Sequence, residues 1–231
     1  MLIKCEGLVK KYKSKYNNTE VFNGVGLEIV QGDFVGIMGR SGSGKSTLLN
    51  ILGFLDTPDS GKYTFKGKQV DFKNVQNLNM LRRNNIAFVR QDYGLINEYS
   101  IASNISLPLK YMKKNTDDID SEVERVAELL DIKDKLLKFP SNLSGGECQR
   151  AAIARAIISK PLVILADEPT GSLDVENENN VINIFQNINL QGTTIIIATH
   201  NSDIAQKCNT LLLIQQGKII KIKGKGEIHH E

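Results

Sequence analysis

One segment restricts this chain to a small number of architectures. Residues 39–46 read GRSGSGKS, which fits the pattern G-x-x-x-x-G-K-[ST]. They lie between a short apolar run at residues 34–38 and a run of helical character at residues 46–54, the strand–loop–helix setting that the pattern requires. Glycines let consecutive backbone N–H groups curl around anionic oxygens, and the following helix presents its positive end to them. We therefore predict a loop that holds the phosphates of a nucleoside triphosphate.

Two side chains of this phosphate loop add to what its backbone offers. Lys45 can reach the β- and γ-phosphates, and the hydroxyl of Ser46 can serve as a ligand of Mg²⁺. The setting between strand and helix disfavours the alternative, a glycine- and serine-rich loop that matches by chance. The residues that we expect to contact the nucleotide here are Gly39, Arg40, Ser41, Gly42, Ser43, Gly44, Lys45, Ser46 and Thr47.

A pair of carboxylates follows another apolar run. Residues 162–166 are all apolar, and Asp167 and Glu168 come directly after them. Such acids are tolerated at the exposed carboxyl end of a strand, where open α/β sheets bind their ligands. We predict that Asp167 belongs to the shell of a Mg²⁺ ion and that Glu168 polarises the water that attacks the γ-phosphate. The alternative is a solvated pair before the turn at Pro169, which the phosphate loop makes less favourable.

A second helix start has an unusual composition. Leu143, Ser144, Gly145, Gly146 and Glu147 precede a helix that we predict at about residues 148–158. Ser144 and Glu147 fit a capping box, but two glycines are costly in a mere cap, because each loses much backbone entropy. They make sense where a phosphate approaches the backbone closely. Either the chain binds two anions, or two copies of it share each nucleotide.

The pattern along the chain favours an α/β core with a mostly parallel sheet and a helical insert. Ser121 and Glu124 fit a capping box before an amphipathic helix within that insert. We predict one domain over residues 1–231, with the core at about 1–92 and 160–231 and the helical insert at about 93–159. The predicted strands are residues 2–9, 21–30, 34–38, 63–70, 86–89, 162–166, 193–198, 211–214 and 219–222, and the other predicted helix is 175–188. The run at residues 63–70 contains a turn signal at Gly67 and Lys68.

Composition excludes several classes of protein. The 231 residues have a formal net charge of only +3, which gives no whole-protein argument for a nucleic-acid partner. Cys5, Cys148 and Cys208 are far apart and form no CxxC pair, so a disulfide framework and a zinc site are both disfavoured. A charged residue occurs within the first four positions, so the N-terminus lacks the apolar region of a signal peptide. Every apolar run is far shorter than a membrane span, so we expect any membrane role to depend on a partner.

Taken in order, the motifs identify a family. The sequence resembles the ATP-binding-cassette (ABC) ATPase subunits over essentially its whole length. The resemblance rests on the phosphate loop, Gln91 after a strand, the signature at residues 143–147 with Gln149 and Arg150 behind it, the Asp167–Glu168 pair, residues 172–174 and His200. It implies a P-loop NTPase core with an N-terminal antiparallel β subdomain and an inserted α-helical subdomain. ATP and Mg²⁺ are the implied cofactors.

The resemblance also implies roles for single residues. Two cassettes would dimerise head to tail, with Ser144, Gly145 and Gly146 of one chain touching the γ-phosphate held by the other, which gives the second helix start a purpose. Gln91 would contact Mg²⁺ and the attacking water, His200 the γ-phosphate, and Asp174 the partner cassette. Tyr12 would stack on adenine, although a surface tyrosine beside lysines is the alternative. The implied Mg²⁺ ligands are Ser46, Gln91 and Asp167.

The motifs are similar to one clade of exporters. It comprises macrolide and peptide exporters, lipoprotein-releasing ATPases and bacitracin-resistance transporters, and residues 91–96 are similar to bacteriocin-export ATPases. We expect an ATPase, homodimeric or heterodimeric, at the cytoplasmic membrane face, powering export through a separately encoded permease that contacts residues 93–114. A regulatory ABC ATPase that signals through a membrane partner is the alternative. An ATPase acting on nucleic acid fits less well with one motif set and a modest charge, and a P-loop kinase would leave the signature, Gln91 and His200 unexplained.

Overall fold

The computed structural model describes residues 1–13, 18–113 and 115–223. Its ten strands form two sheets, and its helices pack on both faces of the larger one. The strands are β1 Ile3–Lys13, β2 Asn18–Ile29, β3 Phe34–Met38, β4 Ser60–Phe65, β5 Lys68–Gln69, β6 Ile86–Arg90, β7 Val163–Asp167, β8 Thr194–Ala198, β9 Thr210–Gln215 and β10 Lys218–Lys223. The α-helices are α1 Lys45–Leu52, α2 Val75–Asn85, α3 Ile101–Tyr111, α4 Thr116–Leu129, α5 Gly145–Ile157, α6 Val175–Leu190 and α7 Ser202–Lys207.

The larger sheet has the strand order β10-β9-β3-β8-β7-β6. Five of its strands are parallel, and the β9–β10 hairpin adds an antiparallel edge around Gly217. Side chains of β7 alternate between two apolar cores: Val163 and Leu165 face one, Ile164 and Ala166 the other. Because both faces are covered, these strands consist of short runs that are apolar throughout, as the sequence indicates.

The smaller sheet is antiparallel, in the order β2-β1-β4-β5, and covers one face of the core. Helices α3, α4 and α5 pack together on the other side, against the second core. This is the predicted architecture. The run at residues 63–70 forms two strands, and the turn that separates them lies at Lys66 and Gly67, both at positive φ, one residue before the predicted turn signal at Gly67 and Lys68.

Some helix boundaries differ from the prediction. Helix α4 begins after Asn115, so Ser121 lies inside it and the predicted capping box with Glu124 is wrong. Helix α5 begins at Gly145 instead of near residue 148, so both signature glycines lie within its first turn. Helices α2 and α7 were not predicted. Only Leu78 of α2 is buried, so that helix lacks the apolar stripe by which a helix is recognised in a sequence. Within the described residues, no helix is long and apolar enough to span a membrane.

Candidate active site

Four parallel strands bring most of the predicted residues to one edge of the sheet. Ile37 of β3 and Asp167 of β7 are both in register with Ala198 of β8, and Arg90 of β6 is in register with Asp167. The segments that follow these strands therefore leave the sheet side by side. They carry the phosphate loop, Gln91, the two carboxylates and His200, and Gly39 and His200 are 161 positions apart in the sequence.

These segments enclose a cleft of about 670 Å³. The predicted residues that line it come from all four strand ends. Val21 of β2 also lines it and was not predicted, because an isolated valine in a strand gives no functional signal. The lining residues are Val21, Ser41, Gly42, Gly44, Lys45, Ser46, Thr47, Gln91, Asp167, Glu168 and His200. Three of the predicted loop residues are not among the lining residues: Gly39, Arg40 and Ser43.

Backbone conformation shapes the phosphate loop. Gly42 and Gly44 have φ values of +74° and +104°, a region that side chains disfavour. A Cβ on Gly44 would lie 2.5 Å from a methyl group of Val21, so bulk is excluded there as well. Gly44 caps helix α1, whose first N–H groups therefore point to the cleft without a side-chain cap. This arrangement suits a bound phosphate.

Lys45 is held inside the loop. Its side chain is only 9% exposed, and its ammonium group donates to the carbonyl oxygen of Gly39 at 3.0 Å. The ammonium group also lies 3.5 Å from Oε1 of Glu168. An anion in the cleft would compete with that carboxylate for Lys45, so the ion pair marks where a negative charge is stabilised.

Glu168 is fixed by contacts on both sides of its backbone. Its N–H donates to the carbonyl of Ala198 at 3.0 Å, and its own carbonyl accepts from the N–H of Gly171 at 3.1 Å. Its φ of 47° lies in the left-handed region, which is uncommon for a residue with a side chain and concentrates at functional sites. The other carboxylate oxygen, Oε2, lies 2.8 Å from Nδ1 of His200. The carboxylate is thus aimed into the cleft between a lysine and a histidine.

The residues predicted to hold Mg²⁺ also meet here. Ser46, Gln91 and Asp167 line the cleft and also an adjoining hollow of about 590 Å³. A hydroxyl, an amide and a carboxylate offer the oxygen ligands that Mg²⁺ prefers, so these three side chains would suit that ion. Among the described residues, no cluster of three histidine, cysteine or acidic side chains could hold a metal ion.

The signature lies apart from these residues. Ser144 caps helix α5 in the predicted capping box: its Oγ accepts from the N–H of Glu147 at 3.3 Å, and Oε2 of Glu147 accepts from the Ser144 N–H at 2.8 Å. That backbone bond lowers the pKa of Glu147. Gly145 packs against the hydroxyl of Tyr93 and Gly146 against Asn177, while Leu143 packs against the helical core. No signature residue belongs to the described lining of the cleft.

Two further predicted residues have local partners. The hydroxyl of Tyr12 donates to Asp56 at 2.6 Å, and the ammonium group of Lys10 lies 4.8 Å from its ring centroid. The Tyr12 side chain is 44% exposed and is not part of the described cleft lining. Asp174 caps helix α6, and the N–H of Asn177 donating to it at 2.8 Å lowers its pKa. The two residues remain accessible for the predicted contacts to adenine and to a partner cassette.

Arg155 was not predicted, although it supports the site. Its guanidinium donates to the carbonyl oxygens of Tyr93, at 2.9 Å, and Gly94. Burial lowers the pKa of this group. Arg155 therefore ties helix α5, which begins at the signature, to the segment that follows Gln91. A lone arginine among the alanines and isoleucines of residues 151–158 is the one signal that the sequence gives.

Comparison with known proteins decides the family. A family model described as ABC transporter matches residues 22–171, which is more than half of the chain. The chain belongs to the ABC transporter family. It is an ATP-binding cassette, and the reaction that it catalyses is the hydrolysis of ATP.

Several relatives match this cassette over most of its length. The uncharacterized ABC transporter ATP-binding protein YknY of Bacillus subtilis is 37% identical over 219 residues, covering 95% of each chain. The lipoprotein-releasing system ATP-binding protein LolD of Aquifex aeolicus is 42% identical over 201 residues, covering 87% of this chain and 90% of LolD. The macrolide export ATP-binding/permease protein MacB of Brucella melitensis is 39% identical over 228 residues, covering 99% of this chain but 35% of MacB.

A solved structure has the same fold. It is a dimeric, post-hydrolysis state of the ATP-binding cassette MJ0796, bound to ADP and Pi. Its TM-score is 0.88 at 31% identity, covering 96% of this chain and 100% of that one. The predicted fold class is confirmed, and this cassette is an ATP-binding subunit of the LolD and MacB type.

Proposed function

We propose that this cassette powers export through a separately encoded permease at the cytoplasmic membrane face. The observation that carries the proposal is the convergence of Lys45, Gln91, Asp167, Glu168 and His200 on one cleft, while the signature lies elsewhere on the chain. The names of the relatives support it: LolD is a lipoprotein-releasing ATP-binding protein and MacB a macrolide exporter that includes a permease. Within that clade we propose a peptide, an antimicrobial or a lipid-linked molecule as substrate, with bacteriocin export suggested by residues 91–96.

We propose that two cassettes form the catalytic unit. The signature helix start lies outside the described lining of the cleft that would hold the γ-phosphate. A second cassette placed head to tail would bring its own Ser144, Gly145 and Gly146 to that cleft, with Asp174 at the contact. A dimeric structure of the MJ0796 cassette supports this assembly. The same surfaces serve a homodimer or a pairing with a related cassette.

We propose the following division of labour in the cleft. Lys45 and the N-terminus of α1 hold the phosphates, because they concentrate positive charge in a site walled off by the loop. Glu168 takes the proton of the attacking water, and His200, 2.8 Å from it, orients the carboxylate and contacts the γ-phosphate. Gln91 orients that water. A Mg²⁺ ion held by Ser46, Gln91 and Asp167 would neutralise charge on the phosphate oxygens.

The role of Tyr12 can be tested directly. Tyr12→Ala should weaken ATP binding about fivefold to a hundredfold, because stacking of a base on an aromatic ring is worth about 1–3 kcal/mol. Tyr12→Phe is the matched control: it keeps the ring and removes only the hydroxyl that bonds to Asp56. Its Kd for ATP, measured by calorimetry, should stay within about twofold of wild type. Equal affinities of the alanine variant and wild type for ATP would refute the stacking role and favour the alternative, a surface tyrosine beside lysines.

We propose that the permease contacts the segment from Tyr93 onward, whose predicted last residue, Lys114, lies outside the described residues. Pro108 and Tyr111 of α3 line a groove of about 490 Å³ together with Arg82 of α2 and Phe88 of β6. The groove thus joins the core to the helical insert, so an inserted permease segment would touch both. Such a contact would couple permease movement to the cleft through α5 and Arg155.

Reconstitution tests export. The tagged chain is purified with its membrane partner and placed in liposomes, and ATP turnover is measured with labelled peptide, macrolide or lipoprotein. We expect one of these classes to stimulate turnover and to cross the membrane only with ATP. The same complex carrying Lys45→Ala is the control and should do neither. Stimulated turnover without movement of any label would contradict export and favour the regulatory alternative.

A further inference from the structure

Tyr93 occupies a position that none of the proposed catalytic steps uses. It lies two residues after Gln91, with a φ of 60° in the region that residues with side chains disfavour. Its backbone is fixed on both sides: the N–H donates to the carbonyl of Arg90 at 3.1 Å, and the carbonyl accepts from Arg155 at 2.9 Å. An unfavourable conformation that is held in this way directs a side chain to a defined place.

The Tyr93 side chain reaches two other parts of the site. Its hydroxyl lies 3.1 Å from Oγ of Ser172, in the segment between Glu168 and Asp174. The same hydroxyl would lie 2.8 Å from a Cβ on Gly145, so the signature glycine packs directly against it. Gly171, the neighbour of Ser172, packs against the side-chain amide of Gln91, since a Cβ on this glycine would lie 3.0 Å from the amide nitrogen. The segment after Gln91, the segment after Glu168 and the start of the signature helix thus meet around one phenol group.

We propose that Tyr93 is a positioning residue, whose hydroxyl fixes the Gln91 segment against the segment that follows Glu168 and against the start of the signature helix. The inference rests on the proposed function of Gln91, Glu168 and the signature. The hydroxyl is the part that matters, since a phenylalanine ring would fill the same space but give Ser172 no partner. Through Ser172 the position of Gln91 is tied to the segment that carries the base, and through Gly145 to the helix that a partner cassette would present.

The test compares Tyr93→Phe, Ser172→Ala and the double variant in the full chain. Each single change should lower kcat for ATP about threefold to tenfold, the loss expected for one hydrogen bond. The Kd for ATP should not change, because neither residue belongs to the phosphate loop. The double variant should lose no more than either single variant, since the two hydroxyls form one bond.

Tyr63→Phe is the matched control for a purely structural hydroxyl. The Tyr63 hydroxyl is buried and donates to the carbonyl of Leu52 at 2.9 Å, so its loss should lower the melting temperature and leave kcat unchanged. A kcat for Tyr93→Phe or Ser172→Ala equal to wild type would overturn the proposal. A double variant whose loss is the product of the two single losses would overturn it as well. If Glu168→Gln abolishes ATP turnover while Tyr93→Phe does not alter it, the positioning role of Tyr93 is refuted. The proposed role of Glu168 as the base is then retained.

Discussion

Glu168→Gln should lower ATP turnover by at least ~10²-fold, the usual scale for losing a group that transfers a proton in catalysis. The amide has nearly the same shape but cannot accept the proton of the attacking water. It also carries no charge toward Lys45, whose ammonium group lies 3.5 Å from the carboxylate in the structure. That ammonium group becomes fully available to phosphate, so ATP binding should be retained or strengthened. Phosphate release and equilibrium ATP binding, measured on the same preparation, separate the two effects.

The variant should also trap the dimer, because ATP that is bound but not hydrolysed keeps both cassettes in place. Gel filtration with ATP should show a dimer for Glu168→Gln and largely monomer for wild type after turnover. Glu128→Gln is the control, since this glutamate is 71% exposed on the helical insert and should leave turnover unchanged. Turnover of Glu168→Gln within a few-fold of wild type would refute the assignment of the base.

The parts of the site that the sequence predicts are those encoded by short, contiguous patterns. The phosphate loop, the Asp167–Glu168 pair and the Ser144–Glu147 capping box each span a few residues, and the structure brings the first two to one cleft. Their meeting also follows from the sequence, because carboxyl ends of parallel strands share one edge of a sheet. Residue types and the prediction of a mostly parallel sheet are therefore enough to predict that these two patterns lie at the same edge.

The parts that escape prediction depend on contacts between distant residues. Arg155 and Tyr93 are 62 positions apart, and Tyr93 and Ser172 are 79 apart, so no local pattern links them. Val21 lines the cleft only because β2 of the smaller sheet passes over Gly44. Helix α4 begins at Thr116 and not after a cap at Ser121, because Ile119 is also buried in the helical core and extends the apolar face of the helix by one turn. Tertiary packing determines these contacts and helix boundaries, and it overrides the local propensity of the sequence.

Two inactive variants should restore activity when they are mixed. Lys45→Ala removes the phosphate-binding ammonium group and should abolish turnover by the pure variant, since ATP binding is weakened at both sites. Ser144→Asp should abolish it for a different reason: aspartate caps a helix about as well as serine, so α5 should still begin there, but its charge repels a phosphate. A mixed dimer contains one site with both defects and one site with neither.

Equal amounts of the two variants should therefore recover about a quarter of wild-type turnover, because half of the dimers are mixed and each has one complete site of two. Different affinity tags on the two chains measure how many mixed dimers form. A signature that acted on the nucleotide of its own chain would give no recovery, since each chain would then carry a damaged site of its own. Recovery in proportion to the mixed dimers thus separates sharing of the nucleotide from binding of two anions by one chain. The structure favours sharing, because Ser144 lies outside the described lining of the cleft that Lys45 occupies.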